Sequence, residues 1–593
     1  MAKYNYKIEG ADLTEQEEYV LEQVETGKIA DLKEKFGEAE ENRRLRAKFL
    51  EELLTNGLEG FKVHRRGIQI KNSIISEAMD MANAEVKECV VLEACIFKEE
   101  MNIDSALFEK YLFFDNSVFH KPVDFGRADI RGQFSADAAR FESKEAKVNF
   151  NGFKVGQDAF FRETVFHGPV DFGHAGVEGQ LLVSGAKFES KDAKANFNGL
   201  KVGQEAYFVK TLFNGPVDFL GADIKGQFSA KGARFESKDS KANFNDMKVG
   251  QTAFFDNVVF NGGVNFAGAD IGGQFIAEGA QFLGQGETNK ANFKGIKVGD
   301  IAFFDRAVFK AGLDLSDARL LDLMLRKLPE PVPELSLERT VVGRKLALEN
   351  AVVGKMKASN LEVKVNAALE QVTVQEEADL RDSSFQVLHL HDVTWPKNPE
   401  EVRLEGLTYK AVSAGDKPRA WESLLAWVEG SRFNTQNYSE LESYFARCGH
   451  RDRTDLVFIA RRERETNWLP WWKKWPVKIF WGWLAGYGRK PWRAFACSLF
   501  FLLLGVYFLN PKEILAADIL KNYWLSPESC WQDFWLRFLL SLNFFLPAID
   551  LGFGKHLSII NMSYPTLVYF ILHRLAGWVL IPIGLAAITT RLK

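Results

Sequence analysis

The chain has 593 residues, too many for one compact core, and its charge nearly balances: 75 Lys and Arg against 79 Asp and Glu, a net of −4. That balance excludes the broad basic face that general nucleic-acid binding needs, so no nucleic-acid partner is expected. Phe (50) and Gly (47) crowd between about residues 110 and 310, while Trp gathers mostly after residue 390. The five cysteines, Cys89, Cys95, Cys448, Cys497 and Cys530, fit neither a CxxC metal site nor a disulfide framework, which points to a reducing compartment. Met1 to Gly10 has no apolar core of the kind a cleaved leader carries, so the bulk of the chain is expected in the cytoplasm.

Residues 1–60 read as a helical N-terminal cap. Thr14 with Glu17 three residues on is a capping box that opens a helix. Asp31 opens a second, short one. Asn42 to Leu54 forms a third, with Leu45, Phe49, Leu53 and Leu54 on one face and Gly57 as its stop.

A tandem repeat follows. Lys154-Val155-Gly156 recurs at Lys201-Val202-Gly203, Lys248-Val249-Gly250 and Lys297-Val298-Gly299, in steps of 47, 47 and 49 residues. Val123-Asp124-Phe125 recurs at Val170-Asp171-Phe172, Val217-Asp218-Phe219 and Val264-Asn265-Phe266. Within a repeat, large apolar residues fall mostly every five or six positions, as at Phe161, Phe166, Phe172, Val177, Leu182 and Phe188. A period near five is neither that of an α-helix nor that of a plain strand. It suits a four-sided β-solenoid in which each quintet makes one side and turns one corner. The large residue points inward, a small one two positions earlier (Ala159, Ala175, Ala186, Ala195) fills the space beside it, and polar residues point out. The polar stretch Glu189 to Lys194, repeated at Glu236 to Lys241, must protrude on every second coil. Coils stacked about 4.8 Å apart advance each repeat by roughly 10 Å.

The quintets Ala128-Asp129-Ile130, Ala222-Asp223-Ile224, Ala269-Asp270-Ile271 and Ala378-Asp379-Leu380 resemble the A(D/N)L unit of pentapeptide-repeat proteins over roughly residues 65 to 395. Phe replaces Leu at many inward sites. The resemblance implies a mainly β, right-handed quadrilateral β-solenoid, assigned to residues 61–400. Pro329, Pro331 and Pro333 predict a kink or loop in it, after which Leu346 to Val393 is again strand-like. Leu424, Leu425 and Val428, then Tyr438, Leu441, Tyr444 and Phe445, then Leu456, Val457 and Ile459 mark helical stripes, so residues 401–467 read as a helical layer.

The C-terminal part has membrane character. Trp468 to Trp483, within an interfacial segment 468–490, reads as an aromatic belt at the headgroups. Residues 491–593 read as a two-span membrane domain. Phe495 to Leu509 is uncharged and, counted back to Pro491, about long enough to cross. Pro565 to Thr590 is the second span, interrupted at His573-Arg574. Basic residues from Arg461 to Arg493 precede the first span, and Arg591 and Lys593 follow the second, so the positive-inside rule puts the solenoid and the C-terminus in the cytoplasm of a bacterial-type inner membrane protein. Between the spans, Trp531 to Leu546 is a third helix, followed by Asp550, Leu551, Gly552, Phe553 and Gly554. Helix, short helix, Gly-rich turn and helix is the order of a potassium-channel pore module, though Asp550 stands where a selective filter has Thr. The alternative is an anchor with a re-entrant or surface-lying helix. Arg574 is an intramembrane charge that lines water, pairs with Asp550 or Asp533, or snorkels. Pro582 and Gly584 form a kink in the second span, as a gate or merely as a tolerated bend.

Arg46-Ala47-x-Phe49-Leu50-x-x-Leu53-Leu54, Gly486-Tyr487-Gly488-Arg489-x-Pro491, Leu546-Pro547-x-Ile549-Asp550-Leu551 and Gly577-Trp578-Val579-Leu580 resemble a family of bacterial membrane proteins with pentapeptide-like repeats and two C-terminal spans. Some of its members are labelled membrane-associated oxidoreductases, but no GxGxxG after a strand and no redox cysteine pair is present here. His389 and His391 beside Asp392 share a strand face and lack a third ligand, so neither a metal nor a cofactor is expected. Asp124, Asp171 and Asp218 form a repeated ladder, read as an outward structural face. The solenoid carries 25 Lys and Arg against 26 Asp and Glu between Met101 and Lys310, too balanced for a DNA mimic. The expected function is a non-enzymatic, membrane-anchored scaffold whose repeat surface meets a protein partner or further copies of the chain, as a homo-oligomer in contact with lipid. The alternative is an oligomeric channel gated by the solenoid.

Overall fold

The computed structural model describes residues 4, 6–415, 419–515, 530–546, 549–551, 553 and 562–592. It is a parallel β-solenoid of about 16 turns followed by a helical region. The chain falls into two compact units, Met1–Arg432 and Phe433–Lys593. Strand and helix make up 30% and 28% of it, because most quintets lend only two residues to a ladder and spend the rest on a corner.

Each two-residue strand pairs in parallel with the strand four places on, which gives the column four sides. On one side Met101 pairs with Val123, Asn149 with Asp171 and Val170 with Ala195. On the next, Phe108 pairs with Ile130 and Val155 with Val177. The register shows what the 47-residue repeat is: a 22-residue coil (Val148 to Val170) and a 25-residue coil (Val170 to Ala195). The longer coil holds the polar stretch Glu189 to Lys194, where Ser190 Oγ accepts the Ala193 N–H at 3.1 Å. The 49-residue step arises from a coil of 27, Val264 to Ala291.

The interior is phenylalanine. One column runs Phe97, Phe119, Phe141, Phe166 and onward to Phe309, its rings parallel and 4.7–5.4 Å apart. A second runs from Phe125 through Phe150, Phe172, Phe197, Phe219, Phe244 and Phe266 to Phe293. The coil spacing sets these offset stacks, and rings of the two columns meet edge to face, as Phe188 and Phe197 do at 5.7 Å. On a third side the expectation that the small residue precedes the large one holds only on alternate coils. Ala159 and Phe161 have that order, but Phe134 and Ala136 reverse it, as do Phe228 and Ala230 or Phe275 and Ala277. Swapping the two positions keeps one ring and one methyl in each of these coils, while the coil of Leu181 and Val183 fills the same layer with two branched side chains.

The aspartate ladder is not simply an outward face. Asp80, Asn102, Asp124, Asn149, Asp171, Asn196, Asp218, Asn243, Asn265 and Asn292 stack on one side. Asn149, Asn196 and Asn243 each donate an amide N–H to the aspartate of the coil before, at 2.7, 2.7 and 2.8 Å. Each Oδ1 also accepts the backbone N–H two residues on, as Asp124 does from Gly126 and Asp171 from Gly173, which closes the corner. The corner's next residue has a positive φ, 54° at Arg127 and 66° at Gly199. From Asp124 to Asp218, Asp alternates with Asn so that carboxylates sit two coils apart rather than face to face. Burial alone would raise the Asp171 carboxyl, but the Lys147 ammonium at 2.8 Å, the Gly173 N–H and the Asn196 amide outweigh it and hold its pKa below the ordinary 3.8. Its contribution to stability is therefore complete above that ordinary value and is lost as pH falls through the lower folded value. Asp171→Asn is expected to fold, since Asn occupies the same position on neighbouring coils, and to flatten the acid limb of a denaturant stability profile below the ordinary carboxyl value of 3.8. An acid limb identical to wild type would contradict this.

Three boundaries differ from the sequence expectation. The cap enters the ladder itself: Ala30–Asp31 pairs with Ile70 and Lys71, and Arg44–Leu45 with Ile74 and Ile75. Its helices α1 (Glu15–Thr26), with the full capping box, and α2 (Leu32–Phe36) are as expected, while α3 (Ala47–Leu54) starts late because Arg44–Leu45 is strand. Pro329, Pro331 and Pro333 do not interrupt the column. Val332–Ser336 is a strand in register with Leu313 and Asp314, with exposed Pro331 and Pro333 flanking buried Val332. The ladder also continues past residue 400, since Val402–Arg403 pairs with Ala378 and Asp379, and Thr408–Ser413 with the strand that carries His389. Helix α4 (Trp421–Glu429) belongs to this first unit, and Arg432 N–H bonds Val402 O at 2.9 Å. The block 401–467 is thus not one layer.

Candidate functional site

The second unit carries the features that depart most from an ordinary water-soluble protein. Its first helices are α5 (Thr435–Arg447) and α6 (Arg451–Asn467). A Trp-rich stretch follows: α7 (Trp471–Pro476), then the wide π-helical turns of Val477–Trp483 and a tight turn at Gly486–Gly488. Pro470 and Pro476 break this stretch into short pieces that no single buried face organises, and its aromatics stay outside. Trp468, Trp471 and Trp483 are 77%, 76% and 66% exposed, with Trp472, Trp475, Ile479 and Phe480 also in the open. Lys473 lies over the Trp472 ring at 4.7 Å. Indoles with an apolar body and a polar N–H, interleaved with lysines, have the composition of a lipid headgroup boundary.

Between α6 and this stretch lies a cleft of about 790 Å3, lined by Phe458, Arg462, Glu465, Trp481, Tyr487 and Arg489 among others. Its charges are internally matched. Arg489 bonds Glu442 at 3.2 Å, approaches Asp455 at 3.5 Å and stacks on Phe458, while Arg462 pairs with Glu465 at 2.8 Å.

Three helices complete the unit: α8 (Trp492–Phe508), α10 (Cys530–Phe545) and α11 (Tyr564–Leu592), with the short α9 (Pro511–Ile514) after α8. Polar side chains are held within them: Ser498, Ser541, Asn543, Thr566 and His573 are buried, beside an apolar core that includes Leu536, Leu540, Phe544 and Phe570. Facing outward are Phe495, Leu499, Phe500, Leu503, Trp535, Ile571, Leu572, Leu575, Trp578 and Leu585, all exposed. The inner groups bond between helices. His573 Nε2 lies 2.9 Å from Ser541 O, Tyr569 OH donates to Phe501 O at 2.8 Å, and Ser541 Oγ donates to Leu502 O at 2.9 Å. Glu513 of α9 accepts Ser563 N–H and Thr566 Oγ–H at 3.2 and 2.9 Å, which satisfies donors at the start of α11. Gly505 and Gly577 allow the close approach: a Cβ at Gly505 would strike Ser541 Oγ, and one at Gly577 the Phe545 carbonyl.

Among the described residues only α11 is long and apolar enough to cross a membrane, over Tyr564–Thr589, and just 28% of its apolar window is buried, unlike the core helix of a soluble protein. The expected first span is a helix of 17 residues, about 25 Å at 1.5 Å per residue, short of the roughly 30 Å hydrocarbon core, so a two-span reading is not supported.

The sequence-derived site residues scatter over this unit. Asp550 and Leu551 are exposed, Leu551 N–H bonds the buried Asn543 side chain, and Phe553 packs against the cluster of Leu509, Leu536, Leu540 and Phe570. Gly552 and Gly554 lie outside the described residues. Arg574 is exposed, and Asp533, one of its two expected partners, instead pairs with Arg537 at 2.7 Å. Helix α11 continues through the exposed Pro582, and Gly584 packs on Ala494 and Phe495. Sequence reading missed His573 as a buried polar anchor, having treated it only as an interruption of the span. His389 Nδ1 lies 2.6 Å from Ser413 Oγ, and no group of three or more metal-ligating side chains is found among the described residues.

The fold and this unit define the class as a β-solenoid repeat protein with a C-terminal helical region. Compared with known proteins, the chain matches no family model, no curated protein and no solved structure.

Proposed function

We propose that this is a non-enzymatic, membrane-anchored scaffold of pentapeptide-repeat type, which holds a stiff cytoplasmic repeat surface at a lipid bilayer for protein interaction or self-assembly. The observation that carries the reading is the exposed apolar surface of α8, α10 and α11, whose hydrogen-bonding groups are buried beside an apolar core. In water that surface would drive aggregation, whereas in hydrocarbon it is the stable arrangement. In this reading α11 is the anchor, the exposed tryptophans of 468–483 lie at the headgroups, and the basic residues Arg461 to Arg493 keep the preceding chain on the cytoplasmic side.

The full chain is expected to float with phospholipid vesicles through 1 M salt and alkaline carbonate washes and to leave them only in detergent. Brominated lipids labelled near the headgroup are expected to quench its tryptophan fluorescence. Release by salt alone, or an aqueous monomer without detergent, defeats the anchor.

The channel reading finds support in one feature, the loop of Asp550 and Leu551 held to α10 by Asn543. The same proteoliposomes decide it: a conductance that Asp550→Ala alters favours the channel, and no current leaves the scaffold.

A further inference from the structure

Between Glu465 and Glu513 the sequence has no acidic residue, yet it carries Lys473, Lys474, Lys478, Arg489, Lys490, Arg493 and Lys512. Arg489 is engaged by Glu442 and Asp455. Lys473, Lys474, Lys478, Lys490 and Arg493 make no ion pair among the described residues. Five cations thus stand beside the exposed tryptophans without an acid of their own chain.

The aromatics among them are aligned. Trp471, Trp475, Ile479 and Trp483 recur every four residues, and all are exposed. Four residues overshoot an α-helical turn by about 40°, so three such steps along one α-helix would carry Trp483 about 120° away from Trp471. The backbone removes that drift. Helix α7 passes directly into the π-helical turns of Val477–Trp483, where the Leu484 N–H bonds Ile479 O. There four residues fall short of a turn of about 4.4 residues by about 30°. Overshoot in α7 and shortfall after it nearly cancel, which sets the four apolar side chains along one line. Lys474 and Lys478, each one residue earlier, flank that line on one side, and Trp472 and Phe480, each one residue later, flank it on the other.

We infer that this stretch lies in the plane of the bilayer surface and selects anionic phospholipid. The inference rests on the membrane reading above and adds to it the class of lipid. A single line of exposed indoles suits a flat apolar boundary, with the lysine stems laid along it and the ammonium groups in the headgroups. Anionic headgroups supply the negative charge that the chain itself does not. A zwitterionic headgroup brings its own cation and leaves the lysines without net neutralisation. An acidic protein surface would supply the charge, but not the apolar phase that Phe495, Leu499, Phe500 and Leu503 of the following α8 also face.

The experiment uses the full chain reconstituted in vesicles of seven parts phosphatidylcholine to three parts phosphatidylglycerol. Bromine near the headgroup is placed on one lipid at a time, each at three parts in ten of the total. Brominated phosphatidylglycerol is expected to quench tryptophan emission at least about twofold more than brominated phosphatidylcholine. That preference is expected to shrink in 0.5 M salt, because the cations face water-accessible headgroups. It is expected to vanish in the combined variant Lys473→Gln, Lys474→Gln, Lys478→Gln and Lys490→Gln, which should keep its far-ultraviolet spectrum and stay with the vesicles. Equal quenching of wild type by the two lipids overturns the inference, leaves the cations to an acidic protein and leaves the anchor standing. A preference that survives the four substitutions also overturns it, since the charge would then lie elsewhere. No quenching by either lipid removes the anchor and the inference together.

Discussion

Phe197→Ala is expected to remove about 3–5 kcal/mol of stability from the solenoid, the range for deleting a fully buried aromatic ring. Phe197 is 0% exposed and sits mid-column, stacked between Phe172 at 5.2 Å and Phe219 at 4.6 Å and touched edge-on by Phe188 and Phe208. The ladder hydrogen bonds of the coils above and below, such as Phe172 N–H to Asn196 O at 2.7 Å, prevent the backbone from closing on the vacated space. The lost area and the residual cavity therefore both count. Because each coil touches only its neighbours, the loss should appear as a local opening before global unfolding. Hydrogen exchange is expected to speed at the amides between about residues 172 and 219 and to stay slow near Phe108 and Phe304. The control is Phe160→Ala, a partly exposed ring on the outer face of the column, which should cost well under half as much. Equal losses at the two positions would mean that the inward and outward assignments are wrong.

This rhythm of rings was the most legible part of the molecule. A quintet repeats its inward residue within a short window, so Phe197, Phe244 and Phe293 could be assigned to the interior from spacing alone, and each is fully buried, whereas Leu182, assigned inward by the same spacing, turns outward between buried Leu181 and Val183. Thr14 and Glu17 were legible for a similar reason, since a capping box is local, and Glu17 is further fixed by Arg46 at 2.5 Å. What could not be read depends on partners one coil away. The 22- and 25-residue coils, the exchange of Phe134–Ala136 for Ala159–Phe161, and the entry of Ala30–Asp31 and Arg44–Leu45 into the ladder are set by stacking between distant segments. A run of prolines reads as a break until one sees that Val332 still points inward between them. In the second unit, composition exposed the Trp belt. It could not show which face of a uniformly apolar helix turns inward, so His573 and Ser541 emerged only with the packing.

That packing makes Gly577 the most sensitive position of the second unit. Gly577→Val is expected to lower stability in detergent by about 3 kcal/mol, the upper part of the range for overpacking. The added side chain would enter the space held by the Phe545 carbonyl oxygen, carbon and Cα at the end of α10, and backbone cannot swing aside as a side chain can. Relief requires α10 and α11 to part. Parting strains the bonds from His573 to Ser541 and leaves polar groups without partners among apolar surroundings. Gly584→Ala on the same helix is the matched control, because a Cβ there meets Ala494 and Phe495 at an ordinary 3.7 Å. Thermal unfolding in detergent, followed by tryptophan emission, should fall by several degrees for Gly577→Val and hold within about one degree for Gly584→Ala. If both variants melt together with wild type, α10 and α11 do not pack as described, and the bundle on which the proposed membrane anchor rests fails with them.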